Sequence, residues 1–368
     1  MKFTIERDEL LRGLGRIQAI VERRGTLPIL SNALIQVSES EVTLAATDLE
    51  VGVIARLAAE VEQPGEVTLP AKALYEITRE LDGSEVGFQV IEGSRVQIDC
   101  DRARFTLLSI SPEEYPTIPG SNGVTLSGIE ASLLTELIDR TLYATSTDET
   151  RYNLNGVLME SADEGKLSCV ATDGHRLAKI DRSLPAPLGF LEKSIIIPRK
   201  GVSEIRKLAD EIDEPIEIGL GDGFLIVRRP GLLLSCRLID GEFPNYRQVI
   251  PSDCRVRLVI ERERLLNSVR RIALMTHERS HGFKFVLTSG QLELSVTNPD
   301  MGEAREQVPI DYDGDRFETS FSARYVQDAL AAMKTKEVAI ELVDELTAAV
   351  IRPADDPDQL AVVAPMRL

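Results

Sequence analysis

The chain has 368 residues and a formal net charge of −18, with 43% hydrophobic and 28% charged residues. Its length predicts two or three domains that each bury a core, and its composition excludes disordered and fibrous proteins. No apolar run approaches the ~20 residues that cross a bilayer, and charged residues by position 8 leave no signal-peptide core, so we expect a cytoplasmic protein. The acidic balance argues against binding to nucleic acid, unless the positive charge is gathered on one surface.

The cysteines and histidines argue against a metal site. The four cysteines are far apart and form no CxxC pair, which fits reduced thiols in a cytosol. The three histidines are too few to predict a histidine-based metal cage. We therefore predict neither a metal nor a cofactor.

One short pattern occurs three times at a regular spacing. It reads LAATDLEVG at 44–52, SCVATDGHRLA at 168–178 and LSVTNPDMGEA at 294–304. Each copy is an alternating apolar strand that runs into Thr-Asp or Thr-Asn and a turn, and the threonines are 125 residues apart. That period is too long for a solenoid repeat and has the size of a domain. The sequence therefore predicts one domain repeated three times.

In chain order, each third predicts two half-units, and each half-unit is a strand, an amphipathic helix and three strands. The first third predicts strands at 2–5, 33–37, 42–46, 51–57, 66–70, 86–90, 95–99 and 104–109, with helices at 8–22 and 71–81. The middle third predicts strands at 124–126, 156–160, 167–171, 176–181 and 194–198, with helices at 130–143 and 199–212. The last third predicts a first strand at 257–260 and helices at 262–274 and 323–334. The linkers EYP at 114–116 and EFP at 242–244 also recur, and we place the domains at 1–121, 122–252 and 253–368.

Basic residues recur on the polar faces of the predicted helices, opposite the apolar residues that are spaced by three and four. They are Arg12, Arg16 and Arg23 on the first helix, Lys72 and Arg79 on the second, Lys200 and Lys207 on the fourth, and Arg264 and Arg271 on the fifth. The third helix carries acidic residues there, and the sixth offers only Arg324, with Lys334 at the margin. On one helix such cations are usually just solvated. Their recurrence in so acidic a chain favours a surface that holds a phosphate backbone without reading its sequence, and the lack of stacking aromatics favours a duplex.

Four segments, spread over all three thirds, carry a family resemblance. They are LPILSNALIQV at 27–37, ATDGHRLA at 171–178, FPNYRQVIP at 243–251 and VVAPMRL at 362–368. On these residues the whole chain resembles the bacterial DNA polymerase III beta subunits, the sliding clamps. The resemblance implies an α+β fold of three tandem clamp domains, closed into a ring by head-to-tail dimerisation, with helices lining the hole and sheets outside. It also implies a processivity factor without a catalytic centre, which encircles duplex DNA.

The resemblance further implies a hydrophobic cleft between the second and third domains. This cleft takes a short peptide from the replicative polymerase alpha subunit, the clamp loader and other proteins that carry a clamp-binding motif. The matching positions are Leu154, Thr172, Gly174, His175, Arg176, Leu177, Pro244, Arg247, Val249, Val362, Pro365, Met366 and Arg367. Methionine in an apolar groove repacks around varied ligands. Ala364 stands where many relatives carry a methionine, so we expect an altered peptide preference.

For DNA, the resemblance adds Arg24 and Tyr152 on loops and Arg199 beside Lys200 at a helix start. Asn153 replaces a tyrosine of some relatives, which weakens the case for a stacked aromatic there. For the dimer, Phe105 and Leu107 of the first domain would meet Ile272 and Leu274 of the third, and Arg102 and Arg104 would face Glu303 and Glu306. Head-to-tail contacts that close into a ring also remove exposed sheet edges.

Two other functions stay open on the residues alone. His175 beside Asp173 suggests the general base and orienting carboxylate of a phosphodiesterase, but no nucleophile elbow, Gly-rich phosphate loop or HExxH motif is present. A lone histidine near apolar residues is more often a packed or rim residue. The chain could also be a scaffold that does not bind DNA and uses only the grooves between its domains.

Overall fold

The structure is a computed structural model that describes residues 1–21, 27–92, 94–211, 214–277 and 281–367. The fold is α+β, as predicted. The chain divides into two compact units, one of Met1–Glu130 with Glu214–Leu238 and one of Ala131–Asp213 with Ile239–Leu368. The middle third of the sequence therefore contributes to both units. Among the helices of the described ranges, none is both long enough and apolar enough to cross a membrane.

The described residues of the first third form nine strands and two helices. The strands are β1 (Lys2–Glu6), β2 (Asn32–Ser38), β3 (Glu41–Thr47), β4 (Val51–Ala58), β5 (Glu60–Gln63), β6 (Gly65–Pro70), β7 (Glu85–Ile91), β8 (Arg95–Cys100) and β9 (Ala103–Leu108), and the helices are α1 (Arg7–Ile17) and α2 (Ala71–Glu80). The sequence did not predict β5. The prediction of α1 to residue 22 was wrong, because the amide of Ile20 donates to the carbonyl of Ile17 at 3.0 Å. This tight turn buries Ile20 and leaves Val21 half-buried, although Val21 continues the apolar spacing of Leu10, Leu14 and Ile17.

The middle third begins with a strand that is displaced from its predicted position. Its strands are β10 (Ser127–Ile129), β11 (Gly156–Ala162), β12 (Lys166–Thr172), β13 (Arg176–Ser183), β14 (Ile195–Pro198), β15 (Ile216–Gly221), β16 (Phe224–Arg229) and β17 (Leu232–Arg237), and its helices are α3 (Ala131–Asp139) and α4 (Arg199–Asp210). The strand predicted at 124–126 was wrong. A Cβ on Gly219 would meet the carbonyl oxygen of Thr125 and would lie 2.9 Å from the side chains of Val124 and Leu126, so this segment crosses over β15 instead of pairing with it.

Helix α3 ends at Asp139, four residues before its predicted end. The hydroxyl of Thr141 donates to the carbonyl of Leu137 at 2.8 Å, and the amide of Thr141 donates to Ile138 at 3.1 Å. A threonine side chain that bonds the backbone in this way competes with the helical ladder. The helix therefore tightens into a short turn at Leu142–Ala144.

The last third contains eight strands and two helices in the described residues. The strands are β18 (Val256–Glu261), β19 (Gly282–Thr288), β20 (Gln291–Asn298), β21 (Gly302–Pro309), β22 (Phe317–Ser322), β23 (Glu337–Leu342), β24 (Ala349–Pro353) and β25 (Gln359–Val363), and the helices are α5 (Arg262–Ala273) and α6 (Ala323–Ala332). Helix α5 packs against α6. Its residues Leu265, Val269 and Ile272, spaced by four and three, enter a core with Phe283 and Leu330.

The sheets run across the boundaries between the thirds. In the first unit an eight-stranded sheet has the order β10-β15-β16-β17-β4-β3-β2-β6, and a five-stranded sheet has the order β5-β1-β7-β8-β9. In the second unit the eight-stranded order is β14-β11-β12-β13-β25-β24-β23-β18, and the four-stranded order is β21-β20-β19-β22. Each eight-stranded sheet thus joins four strands of the middle third to four strands of a neighbouring third, at β17–β4 and at β13–β25.

Candidate functional site

The turn between β12 and β13 is fixed by two side chains. Thr172 is buried, and its hydroxyl donates to the carbonyl of Arg176 at 2.6 Å and accepts from the amide of Gly174 at 3.1 Å. The carboxylate of Asp173 accepts from the amides of His175 and Arg176 at 2.9 and 3.0 Å. Gly174 has a φ of +88°, which a glycine adopts without strain. The turn therefore holds His175 at its exposed tip.

The same turn recurs in the other two thirds, with a shift of one residue in the last. The hydroxyl of Thr47 accepts from the amide of Leu49 at 3.0 Å, as Thr172 does from Gly174. In the last third, the side chain of Asn298 accepts from the amide of Asp300 at 3.0 Å. Asn298 is buried, whereas Thr297 is exposed. The assignment of Thr297 as the third equivalent was therefore wrong, and the role belongs to Asn298.

Arg176 and Leu177 lie on opposite faces of the sheet, because successive side chains on a strand alternate. Leu177 pairs with Val362, and both enter an apolar cluster on one face. Arg176 pairs with Val363, which belongs to the helix-side core. Arg176 therefore lies on the face of the sheet opposite the apolar cluster, and its place in the peptide cleft stays a prediction.

Arg176 instead braces β13 against α6. Its side chain is only 7% exposed, and the guanidinium donates to Asp173 at 3.1 Å and to Asp328 at 2.5 Å. It also lies 4.6 Å from the ring centroid of Tyr325 and 5.5 Å from that of Tyr143. Two carboxylates and two ring faces compensate its charge, so it offers no free cation to a ligand.

The apolar cluster around Leu177 is the floor of a candidate cleft, which we call the outer cluster. Its buried members are Leu158, Val170, Leu177, Ile196, Tyr246, Val350, Leu360 and Val362, with Ile239, Phe243, Ile250 and Ala348 partly buried against it. Two large apolar side chains beside these residues in the sequence are open to solvent. Val249 is 55% exposed and Leu346 is 76% exposed. The sequence reasoning missed Leu346, because one leucine in a polar turn carries no periodic signal.

The C-terminal segment runs beside the turn of His175. The amide of Ala364 donates to the carbonyl of His175 at 2.9 Å, and that of Met366 donates to Ser320 at 2.7 Å. Pro365 and Met366 are half-buried, and Arg367 is exposed. Of the other predicted cleft residues, Leu154 is buried and Pro244 is exposed.

One carboxylate fixes the segment that carries Arg247 and Val249. Glu160 accepts at 2.6 Å from the hydroxyl of Tyr246 and at 2.6 Å from the guanidinium of Arg247. Burial raises the pKa of Tyr246, and the neighbouring Glu160 carboxylate raises it further, so the phenol remains a donor. The sequence reasoning did not find Glu160, which looks like an ordinary polar residue on the half-exposed end of β11.

A polar cavity of about 400 Å³ adjoins His175. Its charged lining is mixed, with Arg151, Arg176, Arg199, Arg324, Asp148, Asp173 and Asp328. The ring of His175 stacks on Tyr325, with 6.4 Å between the centroids. Within the described ranges, no group of three or more His, Cys, Asp or Glu side chains is arranged to hold a metal ion.

Carboxylates on the same helices hold several of the predicted DNA-binding cations. The pairs are Arg12 with Glu9 at 2.6 Å, Lys72 with Glu76 at 3.7 Å, Arg79 with Glu80 at 3.0 Å and Lys207 with Glu204 at 2.7 Å. Arg199, Arg264 and Tyr152 are exposed, Arg16 and Lys200 are half-buried, and Arg23 and Arg24 lie outside the described residues. Exposed pairs of this kind contribute less than about 1 kcal/mol, so the cations can exchange a carboxylate for a phosphate.

The predicted dimer residues of the first domain lie on β9, the last strand of its sheet. Phe105 and Leu107 share a face with the buried residues of β8, yet Phe105 is 38% exposed, because among the described residues only one strand flanks β9. Arg102 and Arg104 are exposed, and Arg104 donates to Asp99 of its own chain at 2.6 Å.

The predicted dimer residues of the third domain are only partly accessible. Leu274 is 75% exposed, but Ile272 is 2% exposed and belongs to the core, so its assignment to the interface is corrected. Glu303 on β21 is exposed. Glu306 faces the helix side, where it accepts from Arg271 at 2.9 Å and from Ser268 at 2.6 Å. Hydrogen bonding to Arg271 lowers the pKa of Glu306.

Comparison with known proteins identifies the family. Three domain descriptions of the DNA polymerase III beta subunit match consecutive parts of the chain: the N-terminal domain at 1–119, the central domain at 128–245 and the C-terminal domain at 247–367. The chain belongs to the DNA polymerase III beta subunit family. The beta sliding clamps of Pseudomonas aeruginosa and Escherichia coli K12 are 36% and 34% identical to it, and each alignment covers 100% of both chains.

Solved beta subunits have the same fold. The structure from Pseudomonas aeruginosa matches this beta subunit with a TM-score of 0.93 at 36% identity, over 100% of both chains. The structure from Bartonella birtlesii bound to griselimycin matches with a TM-score of 0.95 at 36% identity, also over 100% of both chains. The three tandem clamp domains predicted from the repeat are thus confirmed. Since the family consists of processivity factors without catalysis of their own, the phosphodiesterase alternative was wrong.

Proposed function

We propose that this beta subunit is the processivity clamp of a DNA polymerase III holoenzyme in the bacterial cytoplasm. Two copies join head to tail into a ring that encloses duplex DNA without reading its sequence, with helices towards the DNA and sheets outside. A cleft at the β13–β25 junction holds short peptides of the polymerase alpha subunit, the clamp loader and other proteins with a clamp-binding motif.

The observation that supports the ring is the pattern of strand pairing between neighbouring thirds of the chain. The last strand of the first half-unit is β4, β13 or β21, and the last strand of the second half-unit is β9, β17 or β25. Two junctions form within the chain, β17 with β4 and β25 with β13. The strands left over, β9 and β21, each end a sheet. A second copy of the chain can pair β9 with β21 and so close a head-to-tail ring.

The two internal junctions also predict the register of the third. Cys236 faces Val51 at one junction, and Val363 faces Arg176 at the other. Val51 and Arg176 each lie four residues after the buried threonine of their turn. Counted from Asn298, the equivalent residue on β21 is Gly302.

The partner of Gly302 follows from a repeated hydrogen bond. The amide of Leu238 donates to Gly223 at 3.0 Å, and the amide of Ser109 donates to Ser94 at 2.8 Å, with both ends shifted by 129 residues. Cys236 therefore corresponds to Leu107, and Leu107 would face Gly302 of the second copy. Thr106 would then face Glu303, which makes Glu303 a diagonal neighbour of Arg104 on the exposed face.

The cations on the helices support the DNA contact. Lys72, Arg79, Lys207 and Arg264 are exposed on helices in a chain of net charge −18. Contacts with a phosphate backbone are screened by salt and independent of base sequence. Neighbouring carboxylates compete with the phosphates for the cations and so keep these contacts weak. Weak contact inside a closed ring suits a protein that slides.

The outer cluster supports the peptide cleft. An apolar floor with Val249 and Leu346 exposed beside it, and with Met366 on the C-terminal segment, can take apolar side chains of a short peptide. Relatives that are 36% identical have been crystallised with griselimycin. We propose that this chain binds griselimycin in its peptide cleft.

We also propose domain boundaries at 1–121, 122–252 and 253–368.

Retention on DNA tests this function. Protein loaded by a clamp loader should stay on nicked circular DNA through gel filtration in high salt and leave when the circle is cut, since only a closed ring is trapped by topology. A scaffold that does not bind DNA would elute free from both substrates. Protein that stays on the linear DNA as well would instead indicate direct adhesion and would contradict the ring.

A further inference from the structure

Glu160 lies on the cleft side of the sheet. It follows Leu158 by two residues on β11, so both side chains lie on the face of the outer cluster. The side chain of Glu160 is 15% exposed. A carboxylate that is this shielded requires strong donors, and it finds two of them on consecutive residues of one short turn.

Both donors belong to Tyr246–Val249, a single turn of 3₁₀ helix that we call the linker turn. The Tyr246 hydroxyl and the Arg247 guanidinium bond the same oxygen, Oε1 of Glu160, at 2.6 Å each. The guanidinium also lies 4.6 Å from the ring centroid of Tyr246. One carboxylate thus fixes the buried anchor of the linker turn and its exposed cation at the same time.

The linker turn carries a predicted wall of the cleft. Tyr246 is buried in the outer cluster, while Val249, three residues further on, is 55% exposed. The amide of Gln248 donates to the carbonyl of Asn245 at 3.3 Å, at the start of the turn. Hydrogen-bond geometry in a 3₁₀ turn is poorer than in an α-helix, so the side-chain bonds to Glu160 contribute to the position of this turn.

We propose that Glu160 is a positioning residue for peptide binding, which holds the linker turn so that Arg247 and Val249 meet an incoming peptide in a fixed arrangement. This inference rests on the proposed function of the cleft. A wall that is already in place does not have to be ordered when the ligand binds, so Glu160 raises affinity without touching the ligand.

Binding of griselimycin to the full-length protein, measured by calorimetry at neutral pH, tests the inference. Glu160→Ala should weaken binding about tenfold, the effect of losing hydrogen bonds to a charged group. Glu160→Gln keeps an acceptor for Tyr246 and should recover part of that loss. In both variants the amides of residues 246–250 should exchange hydrogen faster, while the oligomeric mass stays that of the wild type.

Glu217→Gln is the matched control. Glu217 also accepts from an arginine, Arg228 at 2.7 Å, but this pair joins two strands of the first unit. It should leave the affinity for griselimycin unchanged. Wild-type affinity in Glu160→Ala, with a lowered melting temperature or without one, would overturn the positioning role, and so would an equal loss in the control. If the wild type itself fails to bind griselimycin, the cleft is wrong and the inference falls with it.

Discussion

At the scale of single residues, the turn of Thr172 shows what a sequence pattern can and cannot predict. Thr-Asp followed by glycine predicts a turn, because short polar side chains bond nearby amides and glycine adopts positive φ. The third copy contains both Thr297 and Asn298, and either side chain could fill the role. Only the hydrogen bond to Asp300 identifies Asn298. Residue types align the three copies of the repeat, but the register of the strand decides which side chain accepts the hydrogen bond of the turn.

Gly174→Ala should destabilise the turn of the cleft. The φ of +88° costs a residue with a side chain about 1–2 kcal/mol, and the new Cβ would lie 2.9 Å from Nη1 of Arg151. We expect a lower free energy of unfolding by about that amount and weaker griselimycin binding. Gly189→Ala is the control, because nothing lies within 4 Å of its Cβ position and its φ is not in the positive range. Equal stability of the two variants would refute the argument.

At the scale of elements, helix and strand patterns were predicted well in kind, and their errors have local causes. Helix α3 ends early because Thr141 bonds the backbone, which periodicity does not register. Arg176 and Leu177 are both predicted cleft residues, and the strand places their side chains on opposite faces of the sheet. Glu160 and Leu346 could not be predicted, since their importance comes from what the linker turn and the outer cluster place beside them.

A partly buried ion network that joins α3 to β13 should make stability sensitive to acid. Arg182 donates to Glu136 at 2.8 and 3.2 Å, and this bonding lowers the pKa of Glu136 below its ordinary 4.5. A lowered folded-state pKa adds stability above that ordinary value and loses it as the pH falls through the folded value. Glu136→Gln should therefore cost about 1–2 kcal/mol at pH 7.

Urea unfolding of Glu136→Gln and the wild type from pH 7 down to acid checks this expectation. The gap in free energy of unfolding should hold at neutral pH and close only below about pH 4.5. The control is Glu192→Gln, which removes an exposed carboxylate and should show no gap at any pH. A gap that stays constant into acid would assign the effect to packing instead of charge.

Removal of Pro365–Leu368 should abolish ligand binding in the cleft without affecting formation of the dimer. The truncation deletes Met366 and its backbone bond to Ser320, while β25 and its pairing with β13 remain. We expect griselimycin binding and polymerase binding to be lost and the dimer mass by light scattering to be unchanged. If the shortened chain keeps wild-type affinity, the C-terminal segment is no part of the cleft.

At the scale of the whole molecule, the repeat of about 125 residues predicted three domains but not how their sheets combine. The pairing of β4 with β17 joins residues some 180 positions apart, and neither strand carries a local signal for its partner. Once the two internal junctions are known, the third is constrained. In their own thirds, β9 occupies the position of β17 and β25, and β21 occupies the position of β4 and β13. The sequence shows the period of the repeat, but only the folded sheets indicate which strands pair between two copies and in which register.

Paired cysteines test that closure. In a Cys254→Ser background, Thr106→Cys with Glu303→Cys should form a covalent dimer under mild oxidation, because facing Cβ atoms lie ~5 Å apart. The remaining native cysteines, Cys100, Cys169 and Cys236, are buried. Thr106→Cys with Gln307→Cys should stay monomeric on a denaturing gel, since four residues along a strand shift the partner by about 13 Å. Cross-linking of the shifted pair alone would reject the register but keep the dimer. A wild-type monomer by light scattering at micromolar concentration would reject the ring itself, because neither end strand would then be covered.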